Sequence, residues 1–309
     1  MPDIVIAFMN TNEQYDIPAA VLALTRYAEV NPRLMEALLR HFGRLEDILE
    51  ADASSLTAIE GLSPDQAARI AGVTTQLEVA DEYLEHLRDR DIRVVTRFGE
   101  DYPQRLNELN DPPPLLFCRG NLPRPEGKLL AIAGTIQPSN EGIELTTHLA
   151  REAAMAGVQV ISTLRGGIDV AAHLGARSGD GSSYAILDSG FDDPAMAEHM
   201  PVAIDIVGHG GVLSEWAPDI ESEGTAFVSS NRLVAGMAQA TVITELDQNA
   251  ARTRDLLECG RQIGSMLFFL VDPRWGSLAD EPSLRQAIEC GAVPMVGLDK
   301  IKDIFNVLV

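Results

Sequence analysis

The sequence predicts an α/β fold, a doubly wound and mostly parallel sheet preceded by a small all-helical domain. Three observations lead there. Short β-rich runs recur at Leu129 to Ala133, Val158 to Ile161, Tyr184 to Leu187, Gly211 to Leu213, Thr241 to Thr244 and Met266 to Val271. They are apolar on both faces, as strands covered by helices on two sides are. Helical stretches separate them, and that regular alternation belongs to parallel strands joined by crossover helices. Residues 1 to about 90 read instead as helical. The expected organisation is a helical domain over 1–95 and a Rossmann-like domain over 96–309.

In the helical part, Leu34, Leu38, Phe42 and Leu45 share one helical face, and Leu77, Ala80, Leu84 and Leu87 form a second stripe. Between them, Leu56 to Ile70 reads as one short helix that stops at Gly61 and another that restarts at once. Ser63 suits an N-cap, Pro64 the first helical position, and Gln66 the far end of a capping box. This is a helix-hairpin-helix (SAM-like) outline. Such a hairpin can offer backbone N–H groups to a phosphate, but no lysine lies in this region and the hairpin carries Glu60 and Asp65. A bundle that only packs is favoured. Asp111-Pro112-Pro113-Pro114 then breaks the chain, and Leu115 to Gly120 follows as a short strand. The first crossover helix shows a buried stripe of Leu145, Leu149, Ala153 and Ala156, with Gly157 as its stop.

A chain of 309 residues that is 46% hydrophobic can bury the cores of two domains. No window approaches the ~18 consecutive apolar residues of a membrane span, and the N-terminus lacks the pattern of a signal peptide. No membrane partner is expected, and the cytoplasm is the expected compartment. Cys118, Cys259 and Cys290 form no C-x-x-C arrangement, so buried thiols are expected and no metal. The formal charge of -22 argues against wrapping nucleic acid with the whole surface. It leaves room for a local site, because charges beyond a Debye length of about 8 Å are largely screened.

In open α/β sheets the ligand crevice lies outside the carboxyl ends of the strands. Three turns stand out there: Gly134 to Asn140, Ser162 to Asp169, and Phe227 to Arg232, read as leading into a helix before the strand at Thr241. Glycines let a phosphate approach the backbone, and a helix start is worth ~0.3–1 kcal/mol to an anion. Arg165 and Arg232 bring the forked donors that phosphate geometry favours. The candidate phosphate-binding residues are Gly134, Thr135, Ser162, Arg165, Gly166, Gly167, Asn231 and Arg232. Asp169 and His173, four residues apart on a helix, and Glu215, closing a strand, are candidates for orienting a ligand or for structural hydrogen bonds. None is assigned a catalytic role. No G-x-G-x-x-G follows a strand, and neither G-x-x-x-x-G-K-[ST] nor G-x-S-x-G occurs, so no dinucleotide or other cofactor is expected.

The same turns resemble a known family. Tyr102-Pro103, Arg105-Leu106, Asp111-Pro112-Pro113 and Leu115 to Gly120 are similar to the entry of the Rossmann-like domain of the DprA/Smf DNA-processing proteins. Ala131 to Thr135, Ser162 to Asp169 with Ala172-His173, Gly211 to Glu215, Asn231 to Gly236 as a helix start, Glu245 and Gly260-Arg261 follow in that family's order, over roughly residues 100 to 295. The resemblance implies a cytoplasmic, non-enzymatic protein that binds single-stranded DNA as a homodimer. It would protect that DNA, pass it to a RecA-type recombinase and aid natural transformation. Two family arginines are replaced, by Ile136 and Ser230, and the turn after Glu245 is replaced by Asp247 to Arg254, where Arg252 and Arg254 are the candidates to compensate. Two alternatives stay open: a sensor of a nucleotide-derived small ligand, and a scaffold that has lost DNA binding. An enzyme acting on nucleotides through Glu215 ranks last.

Overall fold

The computed structural model describes residues 15–308 except 60, 222–225, 247–250, 273–275, 278–280 and 298–300. The chain forms two compact units: the first closes with Tyr102 and takes in Asn110–Leu116, and the second comprises Pro103–Leu109 and everything from Phe117 on. The chain therefore passes between the units more than once. The division into 1–95 and 96–309 stands as a proposal about the linear order of the parts.

The first unit holds α1 (Ile17–Leu22), α2 (Pro32–Phe42), α3 (Leu45–Leu49), α4 (Ala53–Leu56), α5 (Pro64–Ala71), α6 (Leu77–Asp89) and the strand β1 (Arg93–Thr96). Asn31 caps α2 through the N–H of Leu34 at 2.9 Å, and Gly43 ends it in the left-handed region at φ 86. That break places Leu45 on α3, so the expected four-residue stripe is not continuous; α2 buries Met35, Leu38 and Leu39, while Leu34 and Phe42 are half-buried. The helix before the hairpin also ends earlier than Gly61. It stops at Leu56, where the Thr57 hydroxyl turns back onto the Ser54 carbonyl at 2.6 Å. Ser63 caps α5 as expected, accepting from the Gln66 N–H at 3.2 Å. The Gln66 side chain donates to the Glu29 carbonyl, so the capping box is half formed. On α6, Ala80, Leu84 and Leu87 are buried and Leu77 is half-buried. Glu60 lies outside the described residues.

The second unit is built on β2 (Leu115–Gly120) from Phe117 onward, β3 (Leu129–Ala133), β4 (Gln159–Thr163), β5 (Ser183–Ile186), β6 (Gly211–Ser214), β7 (Ala240–Ile243), β8 (Met266–Asp272), β9 (Gly276–Ser277) and β10 (Val293–Val296). Its helices are α7 (Asn140–Met155), α8 (Ile168–Ser178), α9 (Met200–His209), α10 (Ala226–Met237), α11 (Ala251–Gln262), α12 (Glu281–Glu289) and α13 (Ile301–Val307). The strand order is β2-β6-β5-β4-β3-β7-β8-β10, with β9 beside β8. Only the β2–β6 and β8–β9 pairings are antiparallel among these strands. This is a doubly wound, mostly parallel α/β sheet of the Rossmann type. Winding runs outward from β3 through β4, β5 and β6, then resumes on the other side of β3 with β7, which makes the β3–β7 boundary the switch point.

All six expected runs become strands. Strand β4 extends two residues further than its apolar run because Ser162 and Thr163 are buried and spend their hydroxyls inside the fold. Strand β10 gave no sequence signal: it contains Pro294, and three of its four residues are exposed. Leu145, Leu149 and Ala153 of α7 pack with Leu130, Val160 and Val242 in the core, whereas Ala156 is the exposed C-cap of that helix. Cys118 and Cys290 are buried and Cys259 is half-buried, all as thiols. Among the described residues no helix is long and apolar enough to cross a membrane, and no cluster of His, Cys, Asp and Glu suited to a metal is found. Leu149 is fully buried. Its replacement by Ala is expected to lower the unfolding free energy by about 3 kcal/mol, read from denaturant titration.

Candidate functional site

The loop after β3 is held by Glu245, which follows β7. The Thr135 N–H donates to the Glu245 carbonyl at 3.1 Å, and the Thr135 carbonyl accepts from the Ile168 N–H at 3.1 Å. The Glu245 carboxylate sits at the start of α7: the Ser139 N–H lies 3.1 and 3.0 Å from its two oxygens, and the Ser139 hydroxyl donates to Oε2 at 3.1 Å. Ser139 Oγ also accepts from the Gly142 N–H at 3.0 Å, capping the helix. The anion at this helix start is thus one of the protein's own side chains. Gly142 makes room for it, since a Cβ there would lie 1.7 Å from Glu245 Oε2.

The turn after β4 is a second polar cluster. Ser162 Oγ lies 2.6 Å from the Ile132 carbonyl and 3.2 Å from Asp169 Oδ1. The Thr163 hydroxyl donates to Asp169 and accepts from Arg165 Nε at 3.0 Å, which leaves Arg165 Nε 3.9 Å from Asp169 Oδ2. Gly167 has φ 56, and a Cβ on it would come within 2.5 Å of the Thr135 carbonyl. Only glycine lets the two loops touch here. Asp169 and His173 do not hydrogen-bond to each other. His173 Nε2 donates to the Thr163 carbonyl at 2.9 Å, so the neutral ring accepts from the Ser183 hydroxyl at Nδ1, 3.0 Å away. Burial lowers the His173 pKa, against a smaller opposing effect of the Thr163 carbonyl and the Asp169 charge.

The third expected turn is not one. Asn231 and Arg232 lie in the middle of α10, so they offer side chains and no helix-start N–H groups. Asn231 Oδ1 accepts from Arg165 at 3.0 Å, and its Nδ2 donates to Asp255 of α11 at 3.1 Å. Arg232 is ion-paired with Glu215, both side chains only 11% exposed. Arg254 is exposed on α11, and the side chain of Arg252 lies outside the described residues.

Gly134, Thr163, Arg165, Asp169 and Asn231 line one crevice of about 330 Å³, open solvent included, together with Ile136, Val234, Thr253 and Leu256. Of the other expected residues, Thr135, Gly167 and His173 support these walls from behind, and Arg232 with Glu215 forms a separate buried pair. Gly166, at φ 107, faces His199 across its turn. Sequence reasoning missed Asp255 altogether and gave Glu245 no role beyond its place in the motif order. A carboxylate on an amphipathic helix carries no signal of its own, whereas Glu245, directly after a strand at the switch point, had one in its position.

The second unit is thus a doubly wound α/β protein fold of the Rossmann type with a polar crevice, carrying Arg165, at its strand ends. Residues 93–264, more than half of the chain, match the family model for DNA recombination-mediator protein A, and the chain belongs to that family. Residues 21–71 match a SAM-like helix-hairpin-helix tandem. The chain is 28% identical over 228 residues to protein Smf of Synechocystis sp. (strain ATCC 27184 / PCC 6803 / Kazusa), covering 72% of this chain and 57% of that protein. It is 25% identical over 193 residues to DNA processing protein DprA of Bacillus subtilis (strain 168), 61% of this chain and 65% of that one. It therefore spans less than two-thirds of either relative. Among solved structures, DprA from Streptococcus pneumoniae superposes with a TM-score of 0.75 at 21% identity, over 96% of this chain and 99% of that one. A structure of DNA processing protein A from Helicobacter pylori, solved for its single-stranded DNA binding mode, gives 0.58 at 23% identity over 70% and 95%. Both likenesses show the fold.

Two outcomes follow from the geometry. Replacing Arg232 by Ala removes the guanidinium from a nearly buried ion pair, and is expected to cost roughly 3–5 kcal/mol of unfolding free energy, read from denaturant titration. His173 resists protonation in the folded state, while the unfolded chain takes up a proton at the ordinary value of 6.5. Stability is then full above that pH and declines as pH falls below it. His173→Gln should flatten this decline in a series of unfolding titrations across the same range.

Proposed function

We propose that this chain is a recombination mediator that binds single-stranded DNA along the crevice at the carboxyl ends of β3 and β4. The observation that carries this reading is the placement of Arg165, whose guanidinium is held between Thr163 and Asn231 on the wall of that crevice. Membership of the mediator family supports it, and so does the fold shared with the Helicobacter pylori protein. A phosphate would meet the Arg165 fork, with the loop backbones at Gly134 and Gly166 close by. The remaining residues of the expected set, Thr135, Ser162, Gly167, Asn231 and Arg232, shape or brace the site in this reading, and Arg254 offers an exposed charge. The protein acts without catalysis, in the cytoplasm and as a homodimer, and hands its DNA to a RecA-type recombinase.

The test is anisotropy of a labelled oligonucleotide of some tens of bases at two salt concentrations. Binding should weaken as salt rises, and Arg165→Ala should cost about tenfold in affinity and reduce the salt slope by about one. No binding at low salt removes the reading.

One observation favours a second reading, a sensor of a nucleotide-derived small ligand. Ile136, 48% exposed, stands at the crevice where the family resemblance leads one to expect an arginine, which suits a less charged guest. Calorimetry with a panel of mononucleotides and dinucleotides separates the two: saturable binding of one of them, with no response to the oligonucleotide, selects the sensor.

A further inference from the structure

We propose that Asp255 is the positioning residue for Arg165, acting through the side-chain amide of Asn231. Arg165 stands on a turn and not on a regular element, so its guanidinium plane must be fixed by its partners. Thr163 Oγ1 at Nε and Asn231 Oδ1 at the terminal nitrogen, each at 3.0 Å, hold it beside the Asp169 carboxylate, and of these contacts the one to Asn231 orients the outer end of the fork. That contact exists in only one of the two orientations of the Asn231 amide, because the guanidinium donates and never accepts. On the far side of that amide, Asp255 Oδ2 lies 3.1 Å from Nδ2. An ionised carboxylate only accepts, so it selects the NH2 end and turns the carbonyl oxygen toward Arg165. The opposite orientation sets donor against donor and acceptor against acceptor at once. Asn231 is 2% exposed, which leaves little access for solvent to compensate.

The three residues come from α11, α10 and the turn after β4, and the relay runs in one direction across them. Thr253 and Leu256, neighbours of Asp255 on α11, line the same crevice. Burial raises the Asp255 pKa above the ordinary carboxylate value, against the smaller opposing effects of the Asn231 hydrogen bond and of the Arg165 and Arg254 charges. Considered as a charge alone, Asp255 repels a polyanion, and its removal tightens DNA binding. Considered as the residue that orients Arg165, its removal loosens binding. The two accounts differ in sign.

The test uses the full chain with Asp255→Asn, which removes the charge and keeps an acceptor oxygen, and Asp255→Leu, which removes both. The first measurement needs no ligand: the 15N–1H signal of Arg165 Nε, assigned by its loss in Arg165→Lys. It should be sharp in the wild type and in Asp255→Asn, and broadened by exchange in Asp255→Leu. The second measurement rests on the DNA reading of the crevice. Asp255→Asn should bind the oligonucleotide as well as the wild type or better, and Asp255→Leu about fivefold more weakly. That loss should vanish in an Arg165→Ala background, which a general loss of structure would not do. A sharp Arg165 signal in Asp255→Leu, or binding by Asp255→Leu as tight as by Asp255→Asn, overturns the proposal. If the signals behave as expected and the wild type ignores the oligonucleotide, the positioning role stands and the DNA reading falls.

Discussion

The loops around the crevice rest on one carboxylate. At the switch point of a doubly wound sheet, successive crossovers leave in opposite directions and a gap opens between the two central strands. Here that gap lies between β3 and β7, and Glu245 reaches into it from the end of β7. Its carbonyl fixes Thr135 and its carboxylate fixes Ser139, so both ends of the loop after β3 are tied to a single residue. Thr135 in turn receives the Ile168 N–H and touches Gly167, which passes the constraint to the loop after β4. A charge-assisted bond to backbone N–H is worth about 1.5–3 kcal/mol, enough to set the shape of a short loop.

The net charge of -22 and an arginine-lined crevice are reconciled at short range. Arg165 on the crevice wall has the Asp169 carboxylate 3.9 Å away, and Arg232, buried apart from the crevice, has Glu215. The pairing keeps the guanidinium groups in place when nothing is bound and lowers the cost of holding them nearly buried. It also means that a polyanion competes with internal carboxylates. Contact energy at such a site is a difference between two ion pairs, and a smaller one than the same arginine offers when solvated alone.

The fold was legible because parallel strands buried on both faces write themselves as apolar runs, and all six of the main ones did. What escaped was structure made by backbone or by exposed residues. Gly43 cuts a stripe that looked continuous, Thr57 ends a helix by bonding backward, and β10 pairs through main chain while Val293 and Val296 face solvent. The site was legible in its loops, because glycines and polar residues at strand ends have few other reasons to cluster. Its partners were not. Asn231 and Arg232 form part of a helix that begins at Ala226, five residues before Asn231, and with the helix start read at Asn231 they looked like a turn. Glu245 and Asp255 act across sequence distances of about a hundred and of 24 residues, which periodicity does not reach.

Among the described residues the cation of the crevice wall is the Arg165 guanidinium, and neither Lys128 nor Lys302 lines that crevice. Lys128 is committed elsewhere, donating to the Phe305 carbonyl at 2.7 Å. Acetylation, which acts on lysine, therefore has no target among the described residues of this wall. Ionic strength is the lever that remains on this wall, because screening weakens the contact between a guanidinium and a polyanion.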